Sequence, residues 1–91
     1  MTDSICEIDS RGTKHWRNKE GKFHRLDGPA IEYPDGTKLW FMYGSYHRLD
    51  GPAIEFADGD REWYIKGKKL TQQQFDQHPL VIFYRLSKDN V

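Results

Sequence analysis

His24-Arg25-Leu26-Asp27-Gly28-Pro29-Ala30-Ile31-Glu32 recurs unchanged as His47-Arg48-Leu49-Asp50-Gly51-Pro52-Ala53-Ile54-Glu55, and this repeated word sets the fold. The two copies lie 23 residues apart. The same offset relates Gly36 to Gly59, Trp40 to Trp63, and Gly21 to Gly44 to Gly67, so whole units repeat and not one short word. Upstream, Asp9-Ser10-Arg11-Gly12-Thr13-Lys14-His15-Trp16 echoes Asp35-Gly36-Thr37-Lys38-Leu39-Trp40. That first unit carries one extra residue between Trp16 and Gly21, near Arg17-Asn18-Lys19-Glu20, and insertions of this kind belong in loops.

Within a unit, Ala30-Ile31-Glu32-Tyr33 and Lys38 to Tyr43 are β-branched and aromatic runs joined by Pro34-Asp35-Gly36-Thr37. Asp-Gly supplies the positive φ of a tight hairpin. The second copy reads the same way, from Ala53-Ile54-Glu55-Phe56 through Ala57-Asp58-Gly59-Asp60 into Arg61 to Lys66, with Gly44 and Gly67 at the opposite bends. The expected fold is all-β, an antiparallel meander of two to three 23-residue units. Alternation along the strands places Trp16, Trp40, Met42, Trp63 and Ile65 on one face, taken as buried. The other face then carries His15, Arg17, Leu39, Phe41, Tyr43, Glu62, Tyr64 and Lys66.

The end of the chain breaks the pattern. Thr71-Gln72-Gln73-Gln74 has the spacing of a capping box, which predicts a short helix over 72–77. Beyond Pro79, Leu80 to Leu86 is the one continuous apolar run; it reads as a final strand, with a second helix opening at Pro79 as the alternative. Residues 9–70 thus form the β-repeat region and 71–91 a cap within a single domain. An uncovered sheet edge invites association, so a homo-oligomer through a sheet edge is the expectation if the cap leaves one open.

Ninety-one residues exclude a large enzyme and bury only about 60–65% of the unfolded chain's surface. Mean hydropathy is −0.90, yet 14% of residues are aromatic, which separates the chain from disordered sequences and makes aromatics the core material. Fourteen basic residues balance fourteen acidic ones, so no overall field attracts nucleic acid or an anionic membrane. Cys6 is the sole cysteine, which rules out an internal disulfide and a Cys-rich zinc site. The start, acidic at Asp3, Glu7 and Asp9, reads as neither signal nor transit peptide, and no stretch is apolar enough to span a bilayer. A cytoplasmic protein is expected.

The repeat resembles the MORN-type family, whose 23-residue units pair a Tyr/Phe-x-Asp-Gly hairpin with an aromatic strand and a Gly turn. The matching residues are Tyr33-Pro34-Asp35-Gly36, Trp40, Gly44, His47 and Gly51, then Phe56, Asp58-Gly59, Trp63 and Gly67. The form His-Arg-x-Asp-Gly-Pro-Ala looks like the variant found in small bacteriophage and large-DNA-virus proteins. Two departures stand out: His47-Arg48-Leu49-Asp50 intervenes before Gly51 where the family has His followed directly by Gly, and residues after Lys69 lie outside the likeness. The resemblance implies an extended β array serving as an interaction scaffold, with phospholipid binding proposed in some members. A virus accessory role is an analogy of occurrence.

His24, Arg25 and Asp27 with their twins His47, Arg48 and Asp50 form the main polar constellation. Repetition favours a structural role, because an active site gathers its groups in one place whereas these recur once per unit. In that role each Asp accepts turn N–H bonds, each Arg pairs with Glu32 or Glu55 or a turn carboxylate, and each His packs near Trp. Equivalent histidines two strands apart are separated by roughly 9.5 Å, too far to share a zinc that needs nitrogens at about 2.0–2.1 Å. No metal and no cofactor is expected. Lys14, Lys38 and Arg61 recur as well, but Glu32, Glu55, Asp35 and Asp58 interleave with them. No Gly-x-Ser-x-Gly or phosphate loop occurs, and the expectation is no enzyme. The leading function is a protein-binding module docking on a host protein through Arg17, Phe41, Tyr43, Glu62, Tyr64 and Lys66, aromatic anchors with a charged rim. The alternative is a sponge for a nucleotide signal, with Arg25 or Arg48 on phosphate and Trp40 or Trp63 stacked on the base.

Overall fold

The computed structural model describes residues 4–89; residues 1–3 and 90–91, with Asp3 and the end of the expected cap, lie outside the described part. Strands β1 (Ile5–Ile8) and β2 (Lys14–Arg17) form the first hairpin, followed by β3 (Ile31–Glu32), β4 (Lys38–Leu39), β5 (Phe41–Met42), β6 (Ser45–Tyr46), β7 (Ile54–Glu55), β8 (Arg61–Ile65) and β9 (Lys68–Leu70). Two helices close the chain, α1 (Gln72–Asp76) and α2 (Pro79–Asp89). All pairings are antiparallel, in a seven-stranded sheet of order β1-β2-β3-β4-β7-β8-β9 with β5-β6 as a separate ribbon.

The expected hairpins form as read. Tyr33 N–H donates to the Thr37 carbonyl and Phe56 N–H to Asp60, each at 2.9 Å. Asp35 and Asp58 accept the N–H two residues on, at 2.9 and 3.0 Å. Gly36 and Gly59 both sit at φ 98°, a backbone that a side chain resists. At the other bends Tyr43-Gly44 and Lys66-Gly67 take positive φ at both residues, the geometry of a two-residue type I′ turn.

A meander with unbroken strands is not what forms. Between β4 and β5 the ladder is interrupted at Trp40, whose N–H goes to Ala53 while its carbonyl accepts from His47. One long strand therefore pairs along one edge with two short segments, β6 and β7, and the Arg48 to Pro52 loop bulges out between them. The repeated word is that loop plus the start of the following strand.

The assignment of faces needs correction. Ile31, Leu39 and Ile54 are the buried cluster of the sheet, with Phe23, Phe41, Tyr46 and Tyr64 packed on it; this is the face read as open. Trp16, Trp40 and Trp63, read as buried, are half-buried. Alternation separated the two faces correctly, but aromatic size is a poor guide to which is inside: the Trp rings are large enough to be roofed by a charged side chain. At the C-terminal end the Trp face is covered by the helices, where Ile65, Phe75 and Val81 make a second cluster joined by Leu49, Trp63, Leu70 and Leu80.

Thr71 caps α1 as predicted, its Oγ1 accepting Gln74 N–H at 3.1 Å and its own N–H donating to Gln74 Oε1 at 2.9 Å. The expectation of a strand over Leu80 to Leu86 is overturned. This run belongs to α2, with Pro79 as its first residue, where a missing N–H costs nothing. Val81 turns inward and is fully buried while Ile82 and Phe83 face out.

Candidate functional site

The Arg of each word builds a closed box. Arg48 Nε donates to Asp50 at 2.8 Å, and Nη1 donates to the Pro52 carbonyl and to Glu55, both at 3.0 Å. Its guanidinium lies 3.8 Å from the centre of the Trp40 ring. Arg25 repeats the set with Asp27 at 3.1 Å, the Pro29 carbonyl at 3.1 Å, Glu32 at 3.2 Å and Trp16 at 3.9 Å. The glycine of Asp-Gly-Pro is the floor of the box: a Cβ on Gly51 would stand 2.8 Å from Arg48 Cζ, and on Gly28 2.9 Å from Arg25 Cζ. Glycine is there for room, since neither takes a positive φ.

The His of each word stabilises the neighbouring bend. His24 Nδ1 accepts Tyr43 N–H at 3.0 Å and His47 Nδ1 accepts Lys66 N–H at 2.9 Å, so each ring holds the strained first residue of a type I′ turn. Two expectations are thereby corrected. Asp27 and Asp50 accept from arginine, and His24 packs tilted against Tyr43, centroids 4.3 Å apart, with the Trp16 and Trp40 rings already taken by arginine. Burial, helped by the Lys66 cation, holds His47 below its ordinary ionisation range. In the first unit His15 Nε2 contacts Asp9 Oδ2 at 3.1 Å, and this bond keeps the Asp9 carboxyl below the usual range.

The register places the recurrent cations opposite carboxylates: Lys14 stands opposite Glu32, Lys38 opposite Glu32 and Glu55, and Arg61 opposite Glu55. Opposite charges in directly facing positions stabilise the register.

The six residues read as a protein-binding face fall in two places. Phe23, Phe41, Tyr46 and Tyr64 form a continuous row of rings with successive centroids 5.4, 4.3 and 4.9 Å apart, the middle pair stacked and the outer two tilted. Arg17 covers one end, 4.8 Å above Phe23; Glu62 closes the other, accepting the Tyr64 hydroxyl at 3.2 Å and lying 3.7 Å from Lys69. Partial burial raises the Tyr46 and Tyr64 phenols above their ordinary range, with Glu62 adding to it. Arg17, Phe41, Glu62 and Tyr64 thus share one line, but Phe41 and Tyr64 are half-buried. Tyr43 and Lys66 stand apart at the turn tips beside Met42, Ser45 and His47.

Of the alternative ligand set, Arg25, Arg48 and Trp40 line one groove of about 600 Å3, together with His47, Tyr84 and Lys88. Trp63 does not join them; it lines a separate hollow with Arg61 and Lys69. Sequence reasoning missed the apolar outer side of α2, where Ile82, Phe83 and Leu86 are 45, 70 and 55% exposed. Their helical spacing was the available signal, hidden by reading the run as a strand. Leu26, 60% exposed, lines the same groove as Tyr84 and Lys88.

Among the described residues no three His, Cys, Asp or Glu are grouped to hold a metal ion, and no helix is long and apolar enough to cross a membrane. In comparisons with known proteins, no family model, curated protein or solved structure matched the chain.

Proposed function

We propose that this chain is a non-enzymatic protein-interaction module built on a MORN-like repeat, of the kind a phage or other virus uses as an accessory protein docking on a host protein in the cytoplasm. The observation that carries this reading is the apolar outer side of α2. Three large apolar residues exposed along one helix are what a protein-binding anchor requires. The polar groups of the repeated word are occupied within the fold: both arginines bond two carboxylates and a carbonyl, and both histidines accept a backbone N–H. That arrangement supports a scaffold over a hydrolase. The aromatic line with Arg17 and Glu62 offers a second contact area, and Tyr43 and Lys66 a rim.

The test is affinity capture with wild-type protein, with Phe83→Glu and with Tyr64→Ala, scored by mass spectrometry. One stoichiometric protein retained by the wild type and lost with Phe83→Glu supports α2 as the anchor; loss with Tyr64→Ala alone moves the site to the aromatic line. Equal recovery with all three sinks both surfaces.

The nucleotide reading keeps one observation in its favour, the convergence of Arg25, Arg48, Lys88, Trp40 and Tyr84 on one groove. A bound nucleotide has to compete with Glu32, Glu55, Asp27 and Asp50 for the same guanidinium groups. A sponge raises thermal stability by about 2.7 kcal/mol at a nucleotide concentration of 100 times Kd; an unchanged melting temperature across nucleotides discards it.

A further inference from the structure

The two ends of the sheet are finished differently. At one end α1 packs on β8 and β9, and Phe75 lies 6.5 Å from Trp63 by ring centroids. At the other, among the described residues, β1 pairs with β2 along one edge only, and its four residues are all exposed. Which backbone groups face outward follows from β2. Trp16 N–H donates to the Ala30 carbonyl, just ahead of β3, and its carbonyl accepts His24 N–H, so the polar groups of Trp16 turn away from β1 and Cys6 opposite it is a non-hydrogen-bonded pair. The N–H and C=O of Cys6 and Ile8 therefore point away from the sheet.

Natural sheets defend such an edge with Lys, Pro, a bulge or a cover. β1 has neither Lys nor Pro, its register against β2 is continuous, and Ile5 and Ile8 are 73 and 63% exposed. We propose that β1 is a self-association edge that pairs antiparallel with β1 of a second copy, joining two sheets into one across a two-fold axis.

Charge selects the register. Outward-facing residues must meet one another, so the two-fold axis falls on one of the four residues of β1, and an axis at Ile5 or Ile8 pairs only that one residue of β1 with its twin. An axis at Glu7 sets Glu7 against Glu7 of the second copy in a close pair with Cα atoms about 4.5 Å apart, and an axis at Ile8 sets Glu7 against Asp9; like charges directly opposite are destabilising. With the axis at Cys6, Glu7 faces Ile5, Ser4 bonds Ile8, and the two Cys6 residues face each other as a hydrogen-bonded pair. Between Ser4 and Ile8 this register opposes no like charges, whereas an axis at Glu7 or at Ile8 sets Glu7 against a carboxylate. It also brings the Cys6 Cα atoms to about 5.5 Å, inside the range that a disulfide spans.

The experiment measures molar mass by light scattering and sedimentation over a wide concentration range for the full chain under reducing conditions. A mass of twice 10.8 kDa that rises with concentration is expected. Brief oxidation with copper phenanthroline and oxygen then removes two protons and two electrons from the Cys6 pair and gives a covalent dimer. Ile8→Pro removes only an outward N–H, which an edge strand tolerates, and is expected to be monomeric with unchanged circular dichroism; Ile8→Lys, a surface exchange, repeats the test should the proline unfold the hairpin. A wild type that stays monomeric overturns the proposal. So does a dimer that resists both Ile8 variants, or one lost with Phe83→Glu instead, which places the contact on α2. Because Phe83 belongs to the partner-binding reading and Ile8 to this one, each can fail alone.

Discussion

Arginine 48 is the residue on which the structural reading of the repeated word can be refuted most cleanly. Its side chain is 18% exposed, while Asp50 and Glu55 are 54 and 37% exposed. The stacking on Trp40 at 3.8 Å contributes about 0.5–2 kcal/mol. The two carboxylate bonds, discounted to near-surface values, add up to about 1 kcal/mol each, and the Pro52 carbonyl loses a bond of about 1 kcal/mol. Arg48→Ala should cost about 2–4 kcal/mol, or a fall in Tm of roughly 10–25 °C for a domain of this size. Arg48→Lys should cost nearly as much, because one ammonium cannot reproduce a planar fork that stacks and bonds three acceptors. Gly51 supplies the decisive control. Its φ is compatible with alanine, but the new Cβ would press on the guanidinium at 2.8 Å, so Gly51→Ala should cost about 1–3 kcal/mol in the wild type. In the Arg48→Ala background the same change should be neutral or gain about 0.4–1 kcal/mol. Urea denaturation of all four proteins measures this coupling. Additive effects, or an Arg48→Lys within about 0.5 kcal/mol of wild type, would refute the box.

Three further outcomes follow from the same geometry. Gly36→Val should cost about 1–3 kcal/mol through its φ of 98° alone, since open space surrounds the site, and Gly36→Asn should recover most of it in a thermal melt. Thr71→Ala removes one half of the capping box and should cost about 1 kcal/mol, read by urea denaturation. His47 is harder to protonate in the fold than in the unfolded chain, so the unfolded state gains protons first; this share of stability is whole above about pH 6.5 and is lost as pH falls through the lower folded value. Melting curves at several pH values should show a drop on acidification that shrinks in His47→Gln, and an equal drop in both would clear His47 of the effect.

What the sequence made legible was everything that repetition and turn chemistry control. The period located the hairpins, Asp-Gly and the single glycines located the bends, and Thr71 to Gln74 located α1. The arginine pairing to Glu32 and Glu55 was readable because arginine and glutamate repeat with the same offset. What stayed hidden depends on three-dimensional stacking. No local pattern says that Trp40 is roofed by Arg48 or that Gly51 exists to make room for it, since Arg and Gly meet across a loop and not along a strand. Leu80 to Leu86 was misread because a short apolar run has no clear period of its own; only the docking of Val81 beside Phe75 picks the helix. The candidate surface moved for the same reason, because Ile82 and Phe83 become an exposed side only once the run is helical.

The repeated word and the C-terminal helices are two solutions to one problem. Each unit exposes a Trp on the outer face, and the following word covers it: Arg25 covers Trp16 and Arg48 covers Trp40. By the same count Thr71 stands where the next arginine would fall, so Trp63 has no guanidinium above it. Phe75 of α1 approaches Trp63 instead, and Leu70, in the position of His24 and His47, joins the apolar cluster beneath the helices. The polar lid is exchanged for an apolar one where the array stops, which is why the capping box must begin at Thr71 and not a turn later. The exchange is directional. Among the described residues no matching device stands at β1, whose backbone groups at Cys6 and Ile8 face away from β2, so the covering of the last Trp finishes one end of the array and not the other.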